Sequence, residues 1–277
     1  MLKVFKKQLS RAKRGIAGFR RNSVEKVVSV NSSIKHFQIG LSVENRGLEC
    51  FQINNGPINL LFVSAIHGNE VGTVKLSHRL INWLFENRNR YPKFTFNVID
   101  CLNIDGYHSA MKSPDYFGGG KVGRLNSHKV DLNRNFPTPS FQSTAAWTHG
   151  KSYEDSTEVF AGPRAASEPE VQAFIKLTQA QKPAVIFSFH NAGGDLVGNK
   201  TILAQKLAKL YSHITGYHYL SVENWTKFNQ TGSSLEWCTL NNIPILEIET
   251  ENRWSSDWLR NQKAIEESLK VISNREE

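Results

Sequence analysis

The chain of 277 residues carries 34 lysines and arginines against 25 aspartates and glutamates, and 39% of its residues are hydrophobic. This composition is ample for one globular domain with a large core. Residues 1–24 hold eight of the nine excess positive charges, so the rest of the chain is nearly neutral, which argues against a nucleic-acid-binding surface on its body.

The basic leader, residues 1–24, is compatible with three kinds of segment. It contains no acidic residue, and its apolar side chains fall near one face of a helix: Leu2, Phe5, Leu9, Ala12 and Ile16. Such a segment can lie on a membrane surface, serve as an organelle transit peptide, or pack as a helix or tail on the domain. We expect the last, a helical leader followed by a single domain over residues 25–277.

Two further features concern the cellular setting. No apolar run is long enough for a secretory signal or a membrane-spanning helix. The cysteines, Cys50, Cys101 and Cys238, are odd in number and widely spaced. They therefore predict no disulfide framework and favour a reducing, cytoplasmic location.

The first half of the chain predicts two strands separated by a helix. Residues 58–66 form a nearly continuous apolar run, as expected of a buried strand. A helical pattern follows over about 71–86, and residues 93–102 again resemble a strand. Residues 103–162 are rich in Gly, Ser, Asn and Pro and predict a long loop, which in a compact domain is usually functional.

The second half continues the alternation of strands and helices. Ser167 and Glu170 form a capping-box pattern that predicts a helix start. Further strands are predicted at 184–189 and 243–250, and further helices over about 198–212, near 233–240 and from 257 onwards. This alternation predicts an α/β fold with a central mixed, mostly parallel sheet and helices on both faces.

Polar residues follow three of these predicted strands. His67 and Glu70 come after the first strand, His190 ends another, and Glu247 and Glu249 lie on the last. Two histidines and one carboxylate, with a further carboxylate to act as a base, are the groups needed for a catalytic zinc site. Glu247 and Glu249 alternate onto the same face of their strand, so their spacing leaves both open as the base.

The stretch "VDLNRNFP", residues 130–137, holds an arginine between two asparagines. Turn formation explains the asparagines and the proline. It does not explain Arg134, whose planar set of donors suits a carboxylate.

The order of these motifs resembles the zinc metallocarboxypeptidases of the carboxypeptidase A type, which include murein peptide amidase A. The resemblance extends over about residues 58–252. Six stretches carry it: "HGNE", "LNIDG", "RLNSHKVDLNRNFP", "SFH", "GSSLEW" and "ILEIET". It implies one zinc ion per chain, with His67, Glu70 and His190 as its ligands.

The same resemblance assigns roles to other residues. It implies that Glu249 is the general base and that Arg124 polarises the scissile carbonyl. It implies that Asn133 and Arg134 bind the terminal carboxylate of the substrate. Phe228 stands where the family usually has a tyrosine that closes over the substrate, and Leu235 is expected to line the pocket for the last side chain.

We therefore expect hydrolysis of an amide bond next to a free carboxylate, as in a carboxypeptidase or a murein peptide amidase. One alternative is an N-acyl amino acid deacylase of the aspartoacylase and succinylglutamate desuccinylase type. Another is a non-catalytic peptide-binding protein on the same scaffold. An apolar Leu235 would favour apolar terminal side chains, whereas a zwitterionic murein substrate would need a polar partner such as Asp195.

Overall fold

The structure is a computed structural model that describes residues 28–113, 122–148, 156–226 and 230–274. The predicted leader and Phe228 lie outside these ranges. Ten strands are present in the described part of the chain: β1 (His36–Leu41), β2 (Gly47–Ile53), β3 (Ile58–Ser64), β4 (Phe94–Ile99), β5 (Thr144–Thr148), β6 (Ser156–Phe160), β7 (Val185–Asn191), β8 (Asp195–Gly198), β9 (His218–Tyr219) and β10 (Ile245–Thr250).

Seven α-helices alternate with these strands in the same ranges: α1 (Val71–Glu86), α2 (Ile104–Lys112), α3 (Pro169–Gln181), α4 (Ile202–Thr215), α5 (Val222–Thr226), α6 (Ser234–Leu240) and α7 (Trp258–Ser273). Short 3-10 turns occur at Arg88–Arg90 and at Leu132–Arg134.

Eight strands form one mixed sheet in the order β1-β2-β4-β3-β7-β10-β8-β9. Its centre, β4-β3-β7-β10, is entirely parallel, whereas β2 and β8 join that centre antiparallel. The β5 and β6 strands form a separate two-stranded antiparallel hairpin. The predicted α/β class is confirmed, with the antiparallel pairs confined to the two flanks.

Helices cover both faces of the sheet. On one face α1, α4 and α7 bury residues such as Leu80, Leu207 and Leu269 in the larger core cluster. On the other face α3 and α6 bury Phe174 and Trp237 in a second cluster. Because both faces are covered, the central strands carry the continuous apolar runs visible in the sequence.

Two predicted helix starts differ from the structure. Helix α3 begins at Pro169 with Glu168 at its N-cap, and the Ser167 hydroxyl donates to the Glu168 carboxylate rather than capping the helix. A proline at the first helical position suits a helix start because its missing N–H needs no partner there. Helix α4 begins at Ile202, where the Thr201 side chain caps it, because residues 195–198 belong to β8.

The stretch predicted as a long loop, 103–162, is also more ordered than expected. It contains α2, the turn at Leu132–Arg134 and the β5–β6 hairpin. All three cysteines are buried free thiols. Within the described ranges, no helix has the combination of length and apolar character that crossing a bilayer requires.

Candidate active site

His67 and Glu70 lie in the buried connection between the end of β3 and the start of α1. Glu70 is the N-cap residue of α1, but its side chain makes no capping hydrogen bond. Its carboxylate instead contacts His67, with 2.8 Å between Oε1 of Glu70 and Nδ1 of His67. Both residues are 4% exposed or less. The local sequence thus turns both polar side chains away from the helix and into the pocket.

His190 reaches the same point from β7. Its Nδ1 lies 3.3 Å from Oε2 of Glu70, and the possible ligand atoms of His67, Glu70 and His190 all lie within 4.8 Å of one another. Burial would lower the pKa of His190, but the Glu70 carboxylate outweighs it and raises the pKa to about 9. Burial would raise the pKa of Glu70, but the two histidines hold it below its ordinary value.

These three residues fit a zinc ion by three independent criteria. Nitrogen and carboxylate oxygen are donors that zinc prefers, and three protein ligands leave a position for water. Oε2 of Glu70 is buried and makes no hydrogen bond with the protein. Each imidazole is also fixed through its other nitrogen, His67 by Asp131 and His190 by the Ser188 hydroxyl. Such outer contacts typically orient metal-binding histidines.

Asp131 connects the histidine side of the site to the arginine side. Its Oδ1 lies 3.1 Å from Nε2 of His67, and its Oδ2 accepts bonds from Nε and Nη2 of Arg124 at 3.1 and 2.8 Å. Burial would raise the pKa of Asp131, but Arg124 and His67 hold it well below the ordinary value. The resemblance in sequence had assigned Asp131 no role. Its only signal in the sequence was an acidic residue inside the donor-rich stretch 130–137.

Glu249 lies opposite His190 in the parallel pairing of β10 with β7. It lines the pocket together with the three possible metal ligands. Burial, and then the neighbouring carboxylates of Glu70 and Glu247, raise the pKa of Glu249 to about 8 against the opposing charge of His190. Its place beside the possible metal ligands is the position that the predicted general base requires.

Glu247 points to the same side of β10, two residues before Glu249. It is 1% exposed, lines the pocket, and its Oε1 accepts a hydrogen bond from the Ser234 hydroxyl at 2.9 Å. Nδ2 of Asn133 lies 3.5 Å from the same oxygen. The two glutamates that the spacing could not separate therefore have different neighbours.

Arg134 is 2% exposed and lines the pocket beside Asn133. Its Nε donates to the carbonyl of Ala146 at 2.9 Å and its Nη1 to the carbonyl of Asn133 at 2.7 Å. Burial lowers the pKa of Arg134, and the charge of Asp131 only partly offsets this effect. In the described ranges no carboxylate forms an ion pair with Arg134, so its positive charge is neutralised by no direct partner.

Asn133 is held by the first residue of α6. Its Oδ1 accepts the backbone N–H of Ser234 at 2.8 Å. Because a backbone donor fixes which end of the amide is the oxygen, Nδ2 of Asn133 is left to face Glu247 and the pocket. Asn133 and Arg134 thus present donors to the same cavity.

The remaining predicted residues lie at the rim of the central pocket, in a neighbouring cavity, or outside the described residues. Leu235 lines a neighbouring cavity rather than the central pocket. Asp195 lies on the rim of the central pocket, where its carboxylate pairs with His218 at 3.2 Å. Phe228 falls outside the described residues, so its role stays a prediction. Trp147, which had no predicted role, lines the pocket from the β5–β6 hairpin.

Comparison with known families gives an independent result. Residues 22–236 match the family model described as zinc carboxypeptidase. The chain belongs to this family. The zinc carboxypeptidase match includes the HGNE segment, the arginine loop and His190, and it ends within α6, so it does not include β10.

Individual relatives agree with this assignment. The chain is similar to the human carboxypeptidase N catalytic chain, with 26% identity over 231 residues, covering 66% of this chain and 48% of that protein. It is also similar to carboxypeptidase D of Anas platyrhynchos, with 35% identity over 122 residues, covering 39% of this chain and 9% of that protein. The chain thus spans about half or less of the length of these curated relatives.

The fold resembles murein-tripeptide amidase MpaA from Escherichia coli O157, with a TM-score of 0.61 and 21% identity over 88% of this chain and 93% of that one. It also resembles an aspartoacylase family protein from Mesorhizobium loti, with a TM-score of 0.55 and 16% identity over 90% and 69% of the two chains. At these identities the likeness concerns the fold alone.

Proposed function

We propose that the protein is a zinc-dependent hydrolase that cleaves an amide bond next to a free carboxylate. The observation that carries this proposal is the state of Arg134. A buried guanidinium without an acidic partner is costly, and a carboxylate bound from outside would satisfy it through two parallel hydrogen bonds. Arg134 and the possible metal ligands line the same pocket, which supports a substrate that reaches both.

In this proposal His67, Glu70 and His190 hold the zinc ion. When bound, zinc would act as a Lewis acid and activate water for attack on the carbonyl carbon. Glu249 would accept the proton of the attacking water and pass it to the amine that leaves.

The other residues of the site would bind the substrate and stabilise the charge that develops during the reaction. Asn133 and Arg134 would hold the terminal carboxylate, and Arg124 would stabilise the negative charge that develops on the carbonyl oxygen. Donors aimed at such an oxygen commonly supply a large electrostatic contribution to catalysis. Arg124 is suited to this role because its Nη1 has no hydrogen-bond partner in the described part of the chain.

The proposal includes a preference for a terminal residue with a cationic or zwitterionic side chain over an apolar one. Leu235, on which the apolar expectation depended, lies in the neighbouring cavity. Glu247 instead contributes a buried carboxylate with a neutral hydrogen-bond donor as its direct partner. A cationic substrate group would pair with it, whereas an apolar group would leave it unpaired.

The deciding experiment compares wild type and Arg134→Ala on matched peptides with a free carboxylate or an amide at the C-terminus. If Arg134 binds the carboxylate, the variant should lose roughly 2–5 kcal/mol in kcat/KM, or about thirtyfold to several thousandfold, on the free acids only. Arg164→Ala, an exposed arginine, is the control. Equal losses on acids and amides would contradict the proposal.

A substrate panel separates the alternatives. It should include peptides ending in Lys and Phe, a murein tripeptide, and N-acetylated and N-succinylated amino acids. Hydrolysis of peptides supports carboxypeptidase activity, hydrolysis of the murein tripeptide supports an amidase, and hydrolysis of acyl amino acids alone supports the deacylase. Tight peptide binding without turnover in zinc-loaded protein would support the non-catalytic alternative.

A cytoplasmic location is part of the proposal because the buried cysteines are unpaired thiols.

A further inference from the structure

The β5–β6 hairpin contacts both arginines of the site. The carbonyl of Ala146 accepts the Nε–H of Arg134 at 2.9 Å. The next residue, Trp147, places its ring 4.3 Å from the guanidinium carbon of Arg124. Two consecutive residues of one strand therefore touch the two cationic side chains that would bind different parts of a substrate.

The same hairpin is joined at its base to the loop that carries the arginines. The backbone N–H of Asp131 donates to the carbonyl of Phe160, the last residue of β6, at 2.8 Å. The N–H of Ala161 donates to the carbonyl of Ser143 at 2.8 Å, which closes the hairpin base. Asp131 is also the residue whose carboxylate binds Arg124. The hairpin and the arginine loop thus form one connected frame.

Arg124 is restrained in two directions by this frame. The bonds from Nε and Nη2 to Asp131 fix the guanidinium within its own plane, at 3.1 and 2.8 Å. The guanidinium carbon lies over the Trp147 ring, 4.3 Å from its centroid, where the negative face of the indole attracts the cation. Nη1 is the nitrogen that Asp131 leaves available to the pocket. Preorganised donors of this kind are effective because no reorganisation is needed as charge develops.

We propose that Trp147 is a positioning residue that holds Arg124 in the orientation needed to stabilise the developing oxyanion. This inference rests on the proposed function, and it goes beyond it by assigning a role to the hairpin. Its consequence is selective: loss of the ring should affect the reaction step served by Arg124. The binding of the terminal carboxylate by Arg134 should persist, because the Ala146 carbonyl belongs to the backbone.

The experiment replaces Trp147 with Tyr, Phe and Leu in the zinc-loaded full-length chain. The kcat value should fall along this series, in the order of cation–π strength, by roughly threefold to thirtyfold in Trp147→Leu. The KM value for free-acid substrates should stay within about twofold of wild type. Phe141→Leu is the control, because Phe141 packs in the same small cluster of the hairpin and has no role in the site.

A binding measurement gives a second readout that does not depend on turnover. A phosphonate peptide, which imitates the charge on the oxyanion, should bind more weakly to Trp147→Leu by the same factor as kcat falls. The free terminal amino acid, which uses Arg134, should bind as it does to wild type. If wild type hydrolyses no substrate of the panel, the proposed function fails. The phosphonate comparison then still decides whether Trp147 orients Arg124.

Two results would overturn the inference. The first is an unchanged kcat and unchanged phosphonate affinity in Trp147→Leu. The second is a parallel loss of kcat, carboxylate affinity and thermal stability in Trp147→Leu and Phe141→Leu, which would show that the ring only packs the hairpin. If Trp147→Leu does not fold, the graded comparison of the Tyr and Phe variants applies the same criteria.

Discussion

Oδ1 of Asp131 lies 3.1 Å from Nε2 of His67, on the side of the ring opposite to Glu70. If Nδ1 binds a metal, Nε2 would carry the proton and donate it to Asp131, which would hold the ring in place. Asp131→Asn should therefore weaken zinc binding by roughly tenfold to a hundredfold, as is typical when an outer partner of a metal ligand is changed.

Competition with a chelator measures this affinity. His67→Ala, which removes the ligand itself, should contain almost no zinc by elemental analysis. The matched control is Asp100→Asn, because Asp100 makes an equivalent contact with His78, at 2.9 Å, away from the pocket. Full zinc occupancy in His67→Ala would refute the ligand assignment.

The two glutamates of β10 should separate in kinetics. Glu249→Gln should keep zinc and lose roughly a hundredfold or more in kcat on every substrate, as expected when a general base is removed. Glu247→Gln should be much milder on peptides that end in Phe. On peptides that end in Lys, the kcat/KM of Glu247→Gln should fall more than on peptides that end in Phe, because the substitution removes the negative charge that would pair with the lysine ammonium.

These rankings are measured side by side, with zinc content as the control. A larger loss in Glu247→Gln than in Glu249→Gln on both substrates would reverse the assignment of the base. An unchanged preference between Lys and Phe in Glu247→Gln would remove Glu247 from substrate selection while leaving the proposed reaction intact.

Gly232 is required by its contact with the arginine loop. It has a positive φ of 66°, and a Cβ atom there would lie 2.2 Å from the carbonyl oxygen of Arg134. Gly232→Ala should therefore lower the free energy of unfolding by about 3 kcal/mol or more. It should also raise KM for free-acid substrates, because Arg134 is displaced.

Gly216 offers a matched control, since its φ is 75° and no atom lies within 4 Å of the added Cβ position. Gly216→Ala should cost only about 1 kcal/mol for the left-handed conformation, with KM unchanged. Denaturant unfolding and steady-state kinetics on both variants test the comparison. Equal costs at the two positions would show that the contact with Arg134 adds no constraint.

The buried thiols should make the fold sensitive to alkaline pH. Burial raises the pKa of Cys50 to about 12 and the pKa values of Cys101 and Cys238 well above the ordinary value. Above about pH 9 the unfolded chain releases thiol protons that the folded chain keeps. The free energy of unfolding should then decrease as pH rises toward 12, by up to about 1.4 kcal/mol per pH unit for each thiol.

Urea unfolding at pH 7, 9 and 10.5 measures this dependence. A variant with all three cysteines replaced by alanine should show a shallower decrease, since other groups, such as the buried Tyr211, remain. The native protein should also react slowly with thiol reagents that modify all three cysteines after unfolding. Rapid modification of the native protein at pH 8 would contradict the burial of these thiols.

Much of the fold follows from local patterns in the sequence. The apolar runs of β3, β7 and β10 and the helical period of α1 were sufficient to predict the α/β class, because parallel central strands are buried on both faces. The two edge strands, β1 and β9, and the neighbouring strand β2 were not located in the sequence. Such strands are only partly buried, so their residues carry weaker alternation than the central strands.

The possible metal ligands of the site could also be predicted from the sequence, because histidine and glutamate are residue types that commonly bind zinc. His67, Glu70 and His190 each follow or end a predicted strand, and neighbouring parallel strands bring their carboxyl ends together. The structure places these three residues within reach of one ion. Their roles as ligands still depend on the zinc measurements described above.

Other relationships depend on contacts between residues far apart in the chain, and only the tertiary structure decides them. The contacts of Trp147 with Arg124 and of Ala146 with Arg134 exist because the hairpin folds back onto the arginine loop. The separate surroundings of Glu247 and Glu249 come from α6 and β7, which no pattern within β10 contains. Sequence determines which groups are present and which face of a strand they occupy. Packing determines the partner, the burial and therefore the charge that each group can hold.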